Sequence, residues 1–243
     1  MLTLCIANQK GGVGKTTTAL NLAYGRDVNI LLVDVDPQAS LTMALGIDPD
    51  RGSLADVING KLTIGAVIQP HKGVDICPAS LDLAGCELQM VGRLGREYLL
   101  KKALLPIGNT YDLCILDCGP SLGLLVINAL VAAQGVICPV VPDALGLRGL
   151  RLFLDSLEVI KRELNPGLEV LGVIVTQYDK RSTLHQAALN ELQAGGLPVL
   201  GVIKKSVQVA RAAGQGLPMT SGELAEQYLQ VIEKVQSWLK MKS

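Results

Sequence analysis

Asn8-Gln9-Lys10-Gly11-Gly12-Val13-Gly14-Lys15-Thr16-Thr17 decides how this chain of 243 residues folds. The stretch follows an apolar run, Leu2 to Ala7, and opens an amphipathic helical pattern. It therefore sits where a strand hands over to a helix. Glycines at such a junction let successive backbone N–H groups turn inward around a phosphate, and the helix N-terminus adds its dipole. Lys15 supplies a cation and Thr16 a magnesium ligand. A second lysine, Lys10, stands on the rising side of the loop. One lysine neutralises phosphates in its own subunit; a second at this place is surplus to that task.

Outward from the loop, short apolar runs alternate with helical patterns. Strands are expected at Leu2–Ala7, Asn29–Val33, Val74–Cys77, Asp112–Leu116, Gly135–Val140, Glu169–Val175 and Pro198–Ile203. Helices are expected at Lys15–Tyr24, Leu81–Leu105, Ser121–Ala133, Leu147–Leu164, Leu184–Ala194 and Glu223–Leu239. Such alternation implies parallel strands joined by right-handed crossovers, hence a doubly wound, mostly parallel α/β sheet flanked by helices. Ligands of these sheets bind at the carboxyl ends of strands, where the glycine-rich loop falls. No internal repeat, low-complexity tract or linker divides the chain, so residues 1–243 are read as one domain.

Composition narrows the function. Hydrophobic residues make up 49% and charged ones 18%, as suits strands covered on both faces. The 22 basic and 22 acidic residues cancel, so affinity for nucleic acid or a membrane must come from a local patch. Aromatics at 3% argue against single-strand binding by base stacking. Cys5, Cys77, Cys86, Cys114, Cys118 and Cys138 form no Cys-x-x-Cys pair and read as reduced core thiols of a cytosolic protein. An inter-subunit iron–sulfur site from Cys86 and Cys118 is the minor alternative. The N-terminus lacks a signal-peptide layout. Residues 118 to 142 carry no charge, but Asn128, Gln134, Gly135, Pro139 and Pro142 divide them into a buried helix and a buried strand rather than a membrane span.

Two further clusters carry chemistry. Leu31-Leu32-Val33-Asp34-Val35-Asp36-Pro37-Gln38 and Cys114-Ile115-Leu116-Asp117-Cys118-Gly119-Pro120-Ser121 are both apolar strands ending in aspartate. A magnesium–nucleotide site needs such a carboxylate, fixed on a rigid element and holding the metal's water shell. Alone, each reads as a turn former or helix cap; beside a phosphate loop the functional reading prevails. Asp34 and Asp36 are expected to point to opposite sides, leaving one to face a γ-phosphate. Asp36, beyond the strand and before a proline, is the candidate for the residue that orients or deprotonates the attacking water.

Together these residues resemble the ParA/MinD family of deviant Walker A ATPases, and most closely its ParA/Soj branch, which segregates chromosomes and plasmids. The motifs that carry the resemblance are Lys10 to Thr17, Val33 to Gln38 and Ile115 to Gly123, supported by Leu130 to Val141 and Val175 to Asp179. An ordinary phosphate loop would want glycine where Gln9 stands and would not ask for Lys10. The resemblance implies a P-loop fold and a slow, partner-stimulated ATPase that uses ATP and Mg2+. It also implies a homodimer with two ATP molecules sandwiched at its interface. By that resemblance Lys10 reaches the partner's nucleotide, and Lys15 holds the β- and γ-phosphates in its own subunit. Gly11, Gly12, Val13 and Gly14 wrap the phosphates, Thr16 ligates magnesium and Thr17 contacts the α-phosphate. Asp36 serves the lytic water, Asp117 holds magnesium through water, and Gly119 to Ser121 form a second switch. Two nucleotides bring about eight negative charges to one interface, and burying them without cations from both sides would be prohibitive.

The chain departs from the family pattern in four places. Gly25 to Asn29 cut the first helix short, and Gly119 replaces a proline, which should loosen the second switch. Lys204-Lys205-Ser206 stands where Soj-like relatives have Pro-Arg-Asn around the adenine, and Gln208 where relatives often have arginine. Within residues 180 to 222, Lys180, Arg181, Lys204, Lys205 and Arg211 face only Glu191, which reads as a solvated basic face or as a DNA-binding one. The resemblance favours non-specific binding of double-stranded DNA by the ATP-bound dimer through Lys204, Lys205 and Arg211. It also implies a ParB-like partner and a cytoplasmic, nucleoid-associated location. The alternative is a MinD-like or other cargo-positioning ATPase acting at a membrane or on a non-DNA cargo. The apolar face of Glu223–Ser243 is expected to pack on the sheet rather than to anchor a membrane. A biosynthetic or reductive enzyme on the same fold is a third class; it would need a glutaminase domain or a cluster-ligand pair.

Overall fold

Alternate residues of the central strands enter two different apolar clusters, so both faces of the sheet are buried. Cys5, Leu31, Val33, Cys114 and Leu116 belong to one cluster. Leu4, Ile6, Leu32, Leu113 and Ile115 belong to the other. A two-residue side-chain period on fully covered strands produces this division and explains why these strands read as continuous apolar runs. The computed structural model describes residues 1–24 and 28–242. Residues 25–27 of the segment expected to shorten the first helix lie outside the described residues.

The sheet contains β1 (Leu2–Ile6), β2 (Ile30–Val35), β3 (Gln69–His71), β4 (Val74–Cys77), β5 (Leu113–Cys118), β6 (Gly135–Val140), β7 (Glu169–Tyr178) and β8 (Val199–Lys204). Their order is β3-β4-β2-β5-β1-β6-β7-β8. Every neighbouring pair is parallel except β3 with β4. The doubly wound, mostly parallel α/β expectation is met. The helices are α1 (Lys15–Ala23), α2 (Ser40–Leu45), α3 (Leu54–Ile58), α4 (Ile64–Val67), α5 (Asp82–Met90), α6 (Leu99–Leu104), α7 (Leu124–Ala132), α8 (Ala144–Glu163), α9 (Thr183–Ala194), α10 (Val207–Gly214) and α11 (Gly222–Lys242).

Three local expectations need correcting. The helix expected over Leu81–Leu105 is broken into α5, a 3-10 turn at Arg96–Tyr98, and α6. Gly95 adopts φ +64°, and Asn128 of α7 binds both the Leu100 amide and the Arg96 carbonyl, holding the break open. β3 escaped notice because Gln69-Pro70-His71 is a three-residue edge strand containing proline. β7 continues past Val175 to Tyr178, which carries Thr176 and Gln177 to the phosphate loop.

The charge-free region becomes α7 and β6, both buried. Among the described residues no helix is long and apolar enough to cross a membrane. The C-terminal helix α11 lays Leu224, Tyr228, Val231, Val235 and Trp238 into the second cluster, as its periodicity predicts. Each such side chain contributes about 1.5–3 kcal/mol by burial. Closeness there depends on glycine: a Cβ at Gly201 would lie 2.5 Å from Val231 Cγ2.

Gly172 in β7 is under a tighter constraint, with φ +143° and a Cβ position 2.2 Å from the Pro198 carbonyl oxygen. Gly172→Ala is expected to cost on the order of 3 kcal/mol, from backbone strain plus overpacking against a fixed carbonyl. Urea unfolding would measure it. A midpoint equal to that of the parent chain would refute the constraint.

Candidate nucleotide site

The loop between β1 and α1 is shaped by two glycines in the left-handed region, Gly12 at φ +71° and Gly14 at φ +85°. Gly14 caps α1, and its carbonyl accepts from the Thr18 amide at 2.9 Å. Neighbouring elements hold the loop from outside. Asn8 Nδ2 donates to the Pro139 carbonyl of β6 at 2.7 Å, and its Oδ1 accepts from the Lys10 amide at 3.1 Å. Thr176 Oγ1 donates to the Val13 carbonyl at 2.9 Å, and Gln177 Nε2 donates to the Gly12 carbonyl at 2.6 Å. Carbonyls are thus occupied on the outer side of the loop. The Val13 side chain is buried.

Inside the loop lies a cavity of about 650 Å³. Gly11, Gly12, Gly14, Lys15, Thr16 and Thr17 line one end. Asp36, Cys118 and Pro120 border it from the ends of β2 and β5. Its far end is formed by Lys204, Lys205, Ser206 and α10, with Tyr228 of α11 beneath. Lys15 is only 7% exposed and its Nζ donates to the Lys10 carbonyl at 3.1 Å. Burial lowers the Lys15 ammonium from its ordinary range, while Asp117 and Asp36 pull it back up.

The carboxylates divide differently from expectation. Residues two apart in a strand share a face, so strand geometry does not send Asp34 and Asp36 to opposite sides, and both carboxylates act on Asp117 by their charge. Bonding separates their roles instead. Asp34 is fully buried and accepts from the Thr42 amide at 2.9 Å, Thr42 Oγ1 at 2.7 Å and the Asp36 amide at 3.1 Å. Burial still pushes its carboxyl up to about 6, against the pull of those donors. Asp34 therefore ties α2 to the sheet. Asp36, past the end of β2, accepts from the Gln38 amide at 3.0 Å and remains half-buried at the cavity wall. Gly119 admits it: a Cβ there would stand 3.2 Å from the Asp36 carboxyl carbon.

Asp117 sits beside Asp34 in register on neighbouring strands. It is 1% exposed, and its Oδ1 has no hydrogen-bond partner. Burial and the Asp34 charge push its pKa well above the carboxylate range, opposed by Thr16 and Lys15. A buried carboxylate with an unpaired oxygen, adjoining a threonine hydroxyl and a phosphate loop, fits a magnesium ion held through water. Among the described residues no cluster of three or more His, Cys, Asp or Glu could hold a metal by itself. All six cysteines are buried, and Cys5 Sγ lies 3.3 Å from Cys118 Sγ.

Lys10 does not line the cavity that Lys15 enters. Its Nζ lies 3.1 Å from both carboxylate oxygens of Asp143, the residue that caps α8. Sequence reasoning missed Asp143, Asn8 and Gln177 as site residues. Gln177 carries one signal that only coordinates reveal, a φ of +52° on a non-glycine residue.

The basic face proves partly neutralised. Lys204 is ion-paired with Glu223, and Arg181 with Asp179. Both acids fall just outside the window 180 to 222 in which the basic residues were counted. Lys205 and Arg211 are exposed and make no ion pair among the described residues.

Comparison with known proteins agrees with this geometry. A family model described as an AAA domain, AAA_31, matches residues 1–170. The chain is 38% identical over 229 residues to the chromosome-partitioning ATPase Soj of Treponema pallidum, covering 90% of this chain and 89% of that protein. It is 36% identical over 247 residues to the chromosome partitioning protein ParA of Caulobacter vibrioides, covering 96% and 92%. A crystal structure named cobyrinic acid a,c-diamide synthase from Mycobacterium smegmatis, with bound ATP analogue and magnesium, superposes with a TM-score of 0.88 at 35% identity. That match covers 98% of this chain and 95% of the other. The two-lysine phosphate loop, the strand-end aspartates and full-length similarity to Soj and ParA converge, and the chain belongs to the ParA/Soj family of partition ATPases.

Proposed function

We propose that this protein is an ATP-gated dimer switch for DNA segregation, closing around two ATP molecules and opening on hydrolysis. The observation that carries the reading is the division of labour between two lysines. Lys15 is buried and lines the cavity, whereas Lys10 does not line it and pairs with Asp143 instead. A lysine so placed has its natural target in a second subunit.

In this reading the inward amides of Gly11 to Gly14 and the Lys15 ammonium bind the β- and γ-phosphates of ATP, and Thr17 reaches the α-phosphate. Thr16 and, through water, Asp117 would hold Mg2+, which when bound neutralises charge developing on the β- and γ-oxygens. Asp36 orients the attacking water and accepts its proton, while Gly119 to Ser121 sense the γ-phosphate. Lys10 of each subunit completes the charge balance around the other's phosphates, so dimerisation is conditional on ATP. Hydrolysis is slow and is stimulated by a ParB-like partner. The protein acts in the cytoplasm, on the nucleoid.

DNA binding is assigned to Lys205 and Arg211, with Lys204 contributing once phosphate displaces Glu223. Two such patches per dimer neutralise several backbone phosphates without reading sequence. Gel-shift titration with a duplex of arbitrary sequence is expected to show retardation with ATP but not ADP, lost between about 50 and 200 mM salt. Absence of any retardation at low salt with ATP would remove DNA as the cargo and leave the positioning of a membrane-bound or protein cargo.

The similarity to a structure named as a diamide synthase favours a second reading, ATP-dependent amidation of a carboxylate. An amidation fed by glutamine hydrolysis needs an exposed, activated cysteine. Burial raises the thiols of Cys5, Cys77, Cys114 and Cys138, so those groups are poor nucleophiles. The partition reading is therefore preferred.

A further inference from the structure

We infer that Asp143 competes intramolecularly for Lys10, so that the Lys10–Asp143 ion pair sets the ATP and protein concentrations at which the dimer closes. The inference rests on the proposed role of Lys10 across the dimer and adds to it a threshold.

The geometry of the pair makes it a substantial competitor. Lys10 Nζ is equidistant, at 3.1 Å, from the two Asp143 oxygens, so both accept from it. Its backbone is held as well, because the Lys10 amide donates to Asn8 Oδ1 and the Lys10 carbonyl accepts from Lys15 Nζ. The Asp143 carboxylate is fixed from the other side. It caps α8, accepting from the Gly146 amide at 2.6 Å. That turn admits no side chain at Gly146, whose Cβ would lie 2.1 Å from the Val141 carbonyl oxygen. Burial alone would raise the Asp143 carboxyl, but the Gly146 amide and Lys10 outweigh it and hold it below its ordinary range.

The pair is also weak enough to be exchanged. The two side chains are 34% and 43% exposed, and exposed ion pairs are screened by water and salt. A triphosphate offers Lys10 several negative charges where Asp143 offers one. The exchange is therefore favourable when a second ATP-loaded chain is present and does not occur otherwise. Lys10 cannot bridge both Asp143 oxygens and reach another chain at once, so every closing event must first break this pair.

Asn and Ser both cap helices about as well as Asp, so Asp143→Asn and Asp143→Ser remove the charge while keeping α8 closed. Sedimentation velocity over a range of ATP and protein concentrations reads the dimerisation midpoint, and thermal unfolding checks the fold. Both variants are expected to dimerise at about two- to thirtyfold lower protein concentration, the range that two exposed ion pairs per dimer support. In the background of Lys10→Ala, adding Asp143→Asn is expected to change nothing. A midpoint unchanged or raised in both variants, with wild type dimerising and Lys10→Ala not, would overturn the competition and leave the sandwich reading standing. A dimer that persists in Lys10→Ala would instead overturn the sandwich reading itself.

Discussion

Lys10→Ala is expected to abolish ATP-dependent dimerisation while each chain still binds ATP with near-parental affinity. The two halves of that result have separate physical origins. In the proposed site, nucleotide affinity comes from the loop amides, Lys15 and Thr16 on the cavity wall, and Lys10 does not line that cavity. In the proposed sandwich dimer, closure would bury about eight phosphate charges, and truncating one member of a desolvated ion pair costs about 3–5 kcal/mol. Two such losses per dimer weaken association by at least about 10⁴-fold. Light scattering coupled to size exclusion, with and without ATP, reads the dimer; fluorescent-nucleotide titration reads the affinity. Lys10→Arg is a useful companion. It keeps the charge but replaces a compact ammonium by a planar fork, so it should restore dimerisation only in part. A full dimer of Lys10→Ala under ATP would mean that Lys10 acts within its own chain.

Much of this arrangement is readable from sequence because it is local. A phosphate loop, its helix and a strand-end aspartate are contiguous in the chain, and each is signalled by residue types that the backbone demands. Gly12 and Gly14 stand where positive φ is required, and Asp117 follows an apolar strand that has to be central. What escaped is non-local. Asp143 lies 133 residues from Lys10, and Gln177 lies 165 residues from Gly12. Neither distance has a sequence period. The pairing of Lys204 with Glu223 escaped for a related reason, since α11 returns its first turn to the end of β8 across α10. The relation of Asp34 to Asp36 was different, since strand geometry alone puts them on one face. Thr42, supplied by the short helix α2, then occupies the Asp34 carboxylate with two hydrogen bonds. Six residues of helix carry too little periodicity to be recognised in advance.

Asp36→Ala is expected to lower ATP turnover by about 10²–10⁴-fold, the usual contribution of a positioned general base, and to trap the ATP-bound dimer. The fold should survive, because Asp36 is half-buried and its side chain accepts from the exposed Gln38 amide, while its backbone bonds are kept in the variant. Asp34 provides the contrast: three donors converge on it, so its loss would disturb α2 and confuse an activity defect with a structural one. ATP binding should persist in Asp36→Ala, because the loop and Lys15 are untouched, and removing a negative charge near the phosphates eases binding if anything. Closure and hydrolysis are then separated: the variant dimerises with ATP and fails to open. Two measurements check it, steady-state phosphate release and the lifetime of the dimer after ATP is diluted away. Phosphate release within threefold of the parent chain would take Asp36 out of the reaction. Dimers that dissociate at the parental rate despite blocked turnover would break the link between hydrolysis and opening. Gly119 gives this aspartate room on the cavity wall, so the segment proposed to sense the γ-phosphate abuts the carboxylate whose removal should leave the dimer closed.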